Sequence, residues 1–508
     1  MIIFKRKNLW KLPVLLLILG NLILASWYLI HGDLYFHTDI ARDFLLLSEI
    51  QEKKFMLIGP RAGAAGFFHG PLWSYLNFPV FFLSNGNPLA VGWFWIFLII
   101  ASLIINFFIV RSLFNEKTAY FFLIFLSGFL ISLVREFTHP YAGILIAPAF
   151  YYTFYKYITT LKVKYLAFNV LIIGLLIQLE IAFGAPILLL SFLYIFYLQV
   201  KKRKLNHAFV FLLLLIPLST YIIFDLRHDF FQLKSLITYV KGGPNEDYVG
   251  FFNIFKNRIN YMITAGVPLS RNFILDNRIF AIGFFMALLF RLIKEKKDRQ
   301  LYLIFLYFFF GYFILSLFNR YYLLQHHFVA YIPIVFMIIS SFVMLKYKKV
   351  FLPFIILIIF FNELSAIQFI KNAKNFIGRS EDSWQFLAHL SQEVFVDSDS
   401  EFGYFIYAPD KLAYEPKYAM MYARRKYPDR QAYYFQKKPV TYVISAPPPP
   451  EKPHMKSDWW VKNSIKITKE PQKVLTYPNG YKVERYELTA EEMIIPFDQH
   501  EDVGIHFR

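Results

Sequence analysis

Asp39, Arg42 and Asp43 fall within one short stretch, His37-Thr38-Asp39-Ile40-Ala41-Arg42-Asp43, just after the first long apolar run of the sequence. On a helix the three stand at i, i+3 and i+4 and project from one face, with Ala41, Phe44 and Leu45 mostly on the other. A carboxylate held this way at a membrane surface could take the proton from a hydroxyl, which is general-base chemistry. The plainer reading is equally open: Asp39 solvates a juxtamembrane helix, and Arg42 pairs with Asp39 or Asp43. A helix of this pattern is expected to lie on a bilayer with its charges up.

Other candidates are basic residues on the wrong side of a membrane. Threading of the chain, given below, puts Arg42, Arg61, His69, Arg135, Arg227, His228 and Arg320 on the outer face, against the positive-inside rule. Where such residues converge they suit a phosphate headgroup, because Arg binds oxygens bidentately and can stabilise a leaving phosphate. Taken singly, each is a side chain snorkelling to lipid phosphate. Glu180 interrupts an apolar run, Leu179-Glu180-Ile181. At membrane depth an ionisable group points to function, although two short spans meeting there would leave it wet. His326-His327 is expected to play an interfacial role and not to bind metal, since adjacent helical residues point about 100° apart. No P-loop, dinucleotide fingerprint, serine elbow or zinc-helix motif is present.

The elements that must position these groups are built for lipid. The 508 residues are 57% hydrophobic and 20% aromatic, with 60 Phe and 35 Tyr, and mean hydropathy is +0.42. Runs 12–30 and 93–110 carry no charge and are long enough to cross the hydrocarbon core as helices. The first is too long for a cleavable leader and lacks a small-residue cleavage site, so it reads as a retained helix. The net charge of +19 raises the question of nucleic acid, but it sits in loop clusters such as 5–7, 201–204, 291–299 and 346–349 that flank apolar runs. Much of it is therefore topological, and no nucleic-acid partner is expected. The absence of cysteine rules out thiol catalysis, disulfides and thiolate-bound metal.

With a cytoplasmic N-terminus, alternation predicts about eleven spans. The first outer loop covers about 32–88, with 71–83 as a surface or re-entrant segment interrupted by Asn77 and Pro79. Spans then fall near 89–110, 118–134, 141–155, 165–179, 184–199, 207–224, 279–293, 300–319, 327–345 and 350–366. This places Arg135-Glu136-Phe137-Thr138-His139-Pro140 and Asp225-Leu226-Arg227-His228-Asp229 outside. From about 367 the apolar runs shorten and charge and proline rise. Alternating stretches at 440–445 and 474–477, a helix over 417–427 behind Pro416, and the hairpin signal Asn479-Gly480 predict a small α/β domain. The expected fold class is an α-helical polytopic membrane protein, residues 1–366, with an extracytoplasmic α/β domain over 367–508.

The order of several motifs resembles the GT-C glycosyltransferases, nearest the bacterial branch of protein O-mannosyltransferases and the lipid A aminoarabinose transferase. The matching motifs are Asp39-Ile40-Ala41-Arg42 before an apolar helix, Leu57-Ile58-Gly59-Pro60, and Gly66-Phe67-Phe68-His69-Gly70-Pro71-Leu72-Trp73-Ser74-Tyr75. Gln178-Leu179, Phe224 to His228, and His327 leading into Tyr331-Ile332-Pro333 extend the match over the whole membrane region. The resemblance implies a polyprenyl-phosphate sugar donor at the outer face of the plasma membrane and inverting transfer to a hydroxyl of a glycolipid, polymer or protein. It implies Asp39 as the catalytic aspartate, and Arg42, His69, Arg227 and His228 around the donor phosphate. Asp43, Arg135, Glu136, His139 and Glu180 would contact the acceptor or support the others. Many relatives have Glu where this chain has Ile40, and His where it has Glu180. Neither a cofactor nor a metal is expected, because a phosphate leaving group needs no general acid. The alternative is a transporter or flippase of lipid-linked saccharides, against which no internal repeat is found. Trp459-Trp460 in the C-terminal domain suits either sugar stacking or a core role.

Overall fold

The computed structural model describes residues 9–63, 66–134, 137–241, 250–270, 276–294, 299–318, 323–344, 348–398 and 400–501. Packing divides the chain into two compact units. One comprises Met1–Ser26, Phe55–Leu76 and Trp95–Ile370, and the other Trp27–Lys54, Asn77–Phe94 and Lys371–Arg508. Division of the sequence at 366/367 leaves Trp27–Lys54 with the membrane region, whereas by packing those residues belong with the C-terminal ones. Arg135, Glu136 and Arg320 lie outside the described residues.

The first unit is helical. Among the described residues four helices are long and apolar enough to cross a membrane: Pro88–Leu113, Ile181–Lys201, Arg299–Ser316 and Phe351–Phe376. Shorter apolar helices cover Lys11–Ala25, Leu72–Leu83, Val163–Leu179 and Ile332–Ser341. This is the build of a multi-pass membrane protein, with apolar side chains such as Phe97, Ile104, Ile105 and Phe108 exposed along one helix. The single span expected at 207–224 is instead broken: a 3-10 helix, Leu205–Leu215, and an α-helix, Ser219–Arg227, meet at 62°. Pro217 sits in the break, where its ring removes a backbone donor, and its carbonyl accepts from Gln178 Nε2 at 2.6 Å.

Helices Val163–Leu179 and Ile181–Lys201 are separated by one residue. Glu180 takes an extended conformation, φ −151° and ψ 102°, and caps the second helix by accepting from Ala182 N at 3.0 Å. The two helices close tightly beyond it, since a Cβ on Gly184 would stand 2.6 Å from the Ile177 backbone. Gly70 performs a similar task for the first loop. Its N–H donates to Gln178 O at 2.9 Å, and its bare Cα faces the Gln178 side chain where a methyl group would collide.

The second unit contains a five-stranded sheet, β1 (Glu401–Tyr407), β2 (Gln431–Tyr434), β3 (Val440–Ser445), β4 (Lys473–Thr476) and β5 (Lys482–Glu487), in the order β2-β1-β3-β5-β4. β1 runs parallel to β2 and β3, and β5 antiparallel to β3 and β4. The β4–β5 hairpin turns at the predicted Asn479-Gly480, with Gly480 at φ 91° and Asn479 Oδ1 accepting from Tyr481 N. The central strand β1 is buried on both faces, as a mostly parallel strand between layers should be. On one side Phe402 meets Phe395 of helix Trp384–Asp397. On the other, Phe405 and Val443 pack with Trp460, Ile465 and Tyr486. Trp460 therefore belongs to the core, while Trp459 is exposed.

Helix Thr38–Lys53 also belongs to this unit, opened by His37 as its cap and closed by Lys54 at φ 65°. Its apolar face does not lie bare toward lipid as the sequence suggested. Phe44 is buried against Phe36, Phe81 and Tyr418, a burial that contributes roughly 1.5–3 kcal/mol. Arg425 of helix Tyr414–Lys426 donates to Ser48 Oγ and Asn85 O, and Tyr418 OH donates to Gly86 O. Asp33 anchors the entry to the helix. Its carboxylate accepts from the amides of Leu34, Gln385 and Gly378 and from Ser383 Oγ at 2.7–3.1 Å. Burial raises the Asp33 carboxyl pKa, against the opposing pull of those four bonds.

Candidate active site

Two groups of candidate residues come together, one in each unit. In the second unit the expected i, i+3, i+4 face forms on helix Thr38–Lys53. Arg42 Nη1 lies 2.8 Å from Asp39 Oδ1, and Arg42 Nη2 lies 3.3 Å from Asp43 Oδ1. The two carboxylates differ in surroundings, since the Asp39 side chain is 57% exposed and that of Asp43 only 10%. Asp39 also sits in the first turn, where the helix N-terminus favours negative charge. His37 Nδ1 accepts from the Asp39 amide at 3.3 Å. The arrangement is an accessible carboxylate steadied by a guanidinium whose position is fixed by a second, buried carboxylate.

Helix Tyr414–Lys426 adds groups that sequence reasoning missed. Thr38 Oγ1 donates to Glu415 Oε1 at 2.5 Å, and burial pushes the Glu415 carboxyl up to about 7. Burial likewise raises the Tyr414 phenol, which feels the charges of Arg42, Asp410, Glu415 and Asp39. Glu415 and Tyr414 stand some 375 positions along the chain from Thr38 and Asp39, so no local spacing announces them. The only signal was the opening of a helix at Pro416.

In the first unit His69, His139 and Glu180 converge. All three are buried, and each offers a ligand atom within 4.8 Å of the others. The loop pairing Gly59 N to His69 O and His69 N to Pro60 O fixes His69, and its neighbour Gly70 ties it to Gln178. His139 begins helix His139–Thr160 behind Thr138, with Pro140 in the first turn. The rings of His69 and His139 stand 4.3 Å apart. Glu180 also faces His326 and His327, whose ligand atoms and its own lie within 4.8 Å of one another. His326-His327 occupies a single 3-10 turn, Gln325–Phe328, and Glu180 meets both rings, 4.7 Å apart, from one side. Glu180 is not wet, since its side chain is 4% exposed. These residues could hold a divalent cation.

Arg227 and His228 belong to neither group. They are exposed at the end of helix Ser219–Arg227, where His228 stacks on Phe224 and its Nδ1 bonds Phe224 O at 2.8 Å. Arg61 is likewise exposed.

No protein-family model and no curated protein matches the sequence. Two solved structures do match in fold. ArnT from Cupriavidus metallidurans bound to undecaprenyl phosphate aligns at 10% identity and TM-score 0.57, covering 94% of this chain and 98% of that one. ArnT from the same organism in the apo state aligns at 9% identity and TM-score 0.59, covering 95% and 98%. The chain therefore has, over nearly its whole length, a fold similar to that of ArnT.

Proposed function

We propose that this chain is a membrane glycosyltransferase that moves a sugar from a polyprenyl-phosphate donor to a hydroxyl acceptor at the outer face of the plasma membrane. The N-terminus is then cytoplasmic and the C-terminal domain extracytoplasmic. The observation that carries the reading is the exposed Asp39 carboxylate fixed by Arg42 and Asp43, within a fold whose solved example binds undecaprenyl phosphate.

In this reading Asp39 accepts the proton of the acceptor hydroxyl as its oxygen attacks the anomeric carbon. The bond to the phosphate oxygen breaks on the opposite face, and polyprenyl phosphate leaves with the electron pair, so configuration inverts. Phosphate is a weak base and departs without a general acid. Arg42 offers two further functions: it orients Asp39 and presents guanidinium N–H groups to phosphate oxygens. Arg227, a cation, and the His228 imidazole are exposed side chains that a lipid phosphate can reach. His69 is buried beside Glu180 and is better assigned to that cluster than to the donor. The acceptor is a glycolipid, polymer or protein hydroxyl.

The transporter reading has one observation in its favour, the broken helix pair at Leu205–Leu215 and Ser219–Arg227, a device of transporters. Purified protein in nanodiscs, given a pool of radiolabelled polyprenyl-phosphate sugars and membrane extract, separates the two. Transfer by wild type that collapses in Asp39→Asn, with donor binding retained, supports the transferase. Donor binding without transfer across the whole pool overturns it.

A further inference from the structure

The geometry points to a divalent-cation site of the zinc class in the first unit, formed by His69, His139 and Glu180 with His326 as a fourth ligand. The donor set is the first argument. Imidazole nitrogens with one carboxylate suit zinc and its neighbours, whereas magnesium and calcium prefer all-oxygen shells. With ligands at about 2.0–2.2 Å from a tetrahedral zinc, ligand atoms stand roughly 3.3 Å apart. The ligand atoms of His69, His139 and Glu180 lie within 4.8 Å of one another, and His326 reaches the same carboxylate, its Nε2 3.9 Å from Glu180 Oε2, so closure asks the side chains to draw in around Glu180.

Glu180 supplies the second argument. Its side chain is 4% exposed, and Oε1 is already committed to the Ala182 amide, which fixes the carboxylate plane. Among the described residues Oε2 accepts no hydrogen bond, and the nearest imidazole nitrogen, His326 Nε2, is 3.9 Å away. A buried carboxylate oxygen left this way costs several kcal/mol unless a proton or a cation meets it, and imidazole nitrogens ranged on the same side suit the cation. The same carboxylate argues against an anion: a phosphate placed among these histidines would face Glu180 directly.

The local backbone supports a built site. His69, His139, Glu180 and His326 come from four separate stretches, each fixed by its own device: the Gly59–Pro60 pairing with His69, the Thr138–Pro140 helix start, the one-residue break at Glu180 and the Gln325–Phe328 turn. His327 supports the site without ligating. Its Nδ1 accepts from the Leu324 amide at 3.2 Å, which holds the turn that presents His326. A cation here would tie these four stretches together.

The test needs neither donor nor acceptor, so it stands apart from the transferase reading. Full-length protein in nanodiscs is stripped with chelator and dialysed against Zn2+ or Co2+, and bound metal is measured by mass spectrometry. The visible spectrum of the cobalt form reports ligand geometry. Wild type should hold about one metal per chain, with the intense bands of a tetrahedral nitrogen and oxygen set. Glu180→Gln and His139→Asn should each weaken binding about 10- to 100-fold, on the scale seen for altered metal shells, while exposed His31→Asn should not. His326→Asn, at a partly exposed position, serves if a buried variant fails to elute as folded protein. Fewer than about 0.1 metals per wild-type chain, or undiminished binding in the folded variants, overturns the proposal.

Discussion

The carboxylates of the two candidate groups are treated in opposite ways. Asp39 is largely exposed and already paired with Arg42, while Glu180 is sealed in, with one oxygen anchored and the other facing imidazoles. An exposed Asp–Arg pair on a helix contributes at most about 1 kcal/mol, so stability is a poor reason for Asp39 and Arg42 to stand as they do. Accessibility instead leaves Asp39 able to meet a substrate hydroxyl. Glu180 is less suited to that task, because its side chain is only 4% exposed. Its burial suits holding a small ion. The contrast fits the two proposals, chemistry at the first group and ion binding at the second.

The sharpest way to break that assignment is Asp39→Asn, which keeps shape and removes basicity. Transfer should fall by roughly 10²- to 10⁴-fold, with metal content unchanged from wild type. A loss of metal together with activity would merge the two groups into one. Arg42→Lys follows, with an expected loss of about 10²-fold in kcat/KM, because a lysine cannot span Asp39 and Asp43 together while meeting phosphate. Transfer rates that match wild type would leave Arg42 as a mere surface ion pair.

Next in size is a stability effect on the platform that carries Asp39. Asp33→Ala removes an acceptor that serves three amides and the Ser383 hydroxyl. It should destabilise the second unit by about 3 kcal/mol, since buried donors left unmade are costly. Limited proteolysis within 378–386, compared with wild type across a denaturant series, measures it. An unchanged midpoint would mean that water replaces the carboxylate and that the helix is positioned by Phe44 packing alone.

What the sequence disclosed follows the reach of each interaction. The face of Asp39, Arg42 and Asp43 was legible because helical spacing is local, as were the Asn479-Gly480 hairpin and strand β3. The burial of the opposite face was not, because Tyr418 and Arg425, which cover it, lie far along the chain. A charged, amphipathic stretch beside a membrane segment reads the same whether lipid or protein covers it. The cluster around Glu180 was legible only in part: Glu180 stood out as an ionisable residue in an apolar run, His69 as a basic residue on the outer face, and His139 through its outer loop and the family resemblance. Their convergence depends on the Gly70–Gln178 contact and the one-residue helix break, which are tertiary facts. For His326 and His327 the 3-10 turn was not legible, and within it Glu180 lies near both rings. The bend within 207–224 was missed for a simpler reason, as hydropathy registers Pro217 only weakly while the backbone breaks there.

The smallest effect concerns the floor under Asp39. Glu415 accepts from Thr38, the residue next to Asp39, and burial pushes its carboxyl up to about 7 from an unfolded value of 4.5. With a raised folded pKa, the folded state holds the proton more tightly. The stabilisation is therefore complete below about pH 4.5 and is lost as pH rises through 7. The full difference amounts to at most about 3 kcal/mol. In Glu415→Gln, a neutral side chain of the same shape, that slope should vanish between pH 5 and 8, while Thr38 still finds an oxygen to donate to. Urea midpoints across this range decide it. If the slope survives in Glu415→Gln, another buried acid carries it, with Asp33 the first to examine. If it disappears and transfer also loses part of its pH dependence, Glu415 acts on Asp39 through Thr38, and the exposed group then depends on a buried carboxylate of its own, narrowing its contrast with the cluster around Glu180.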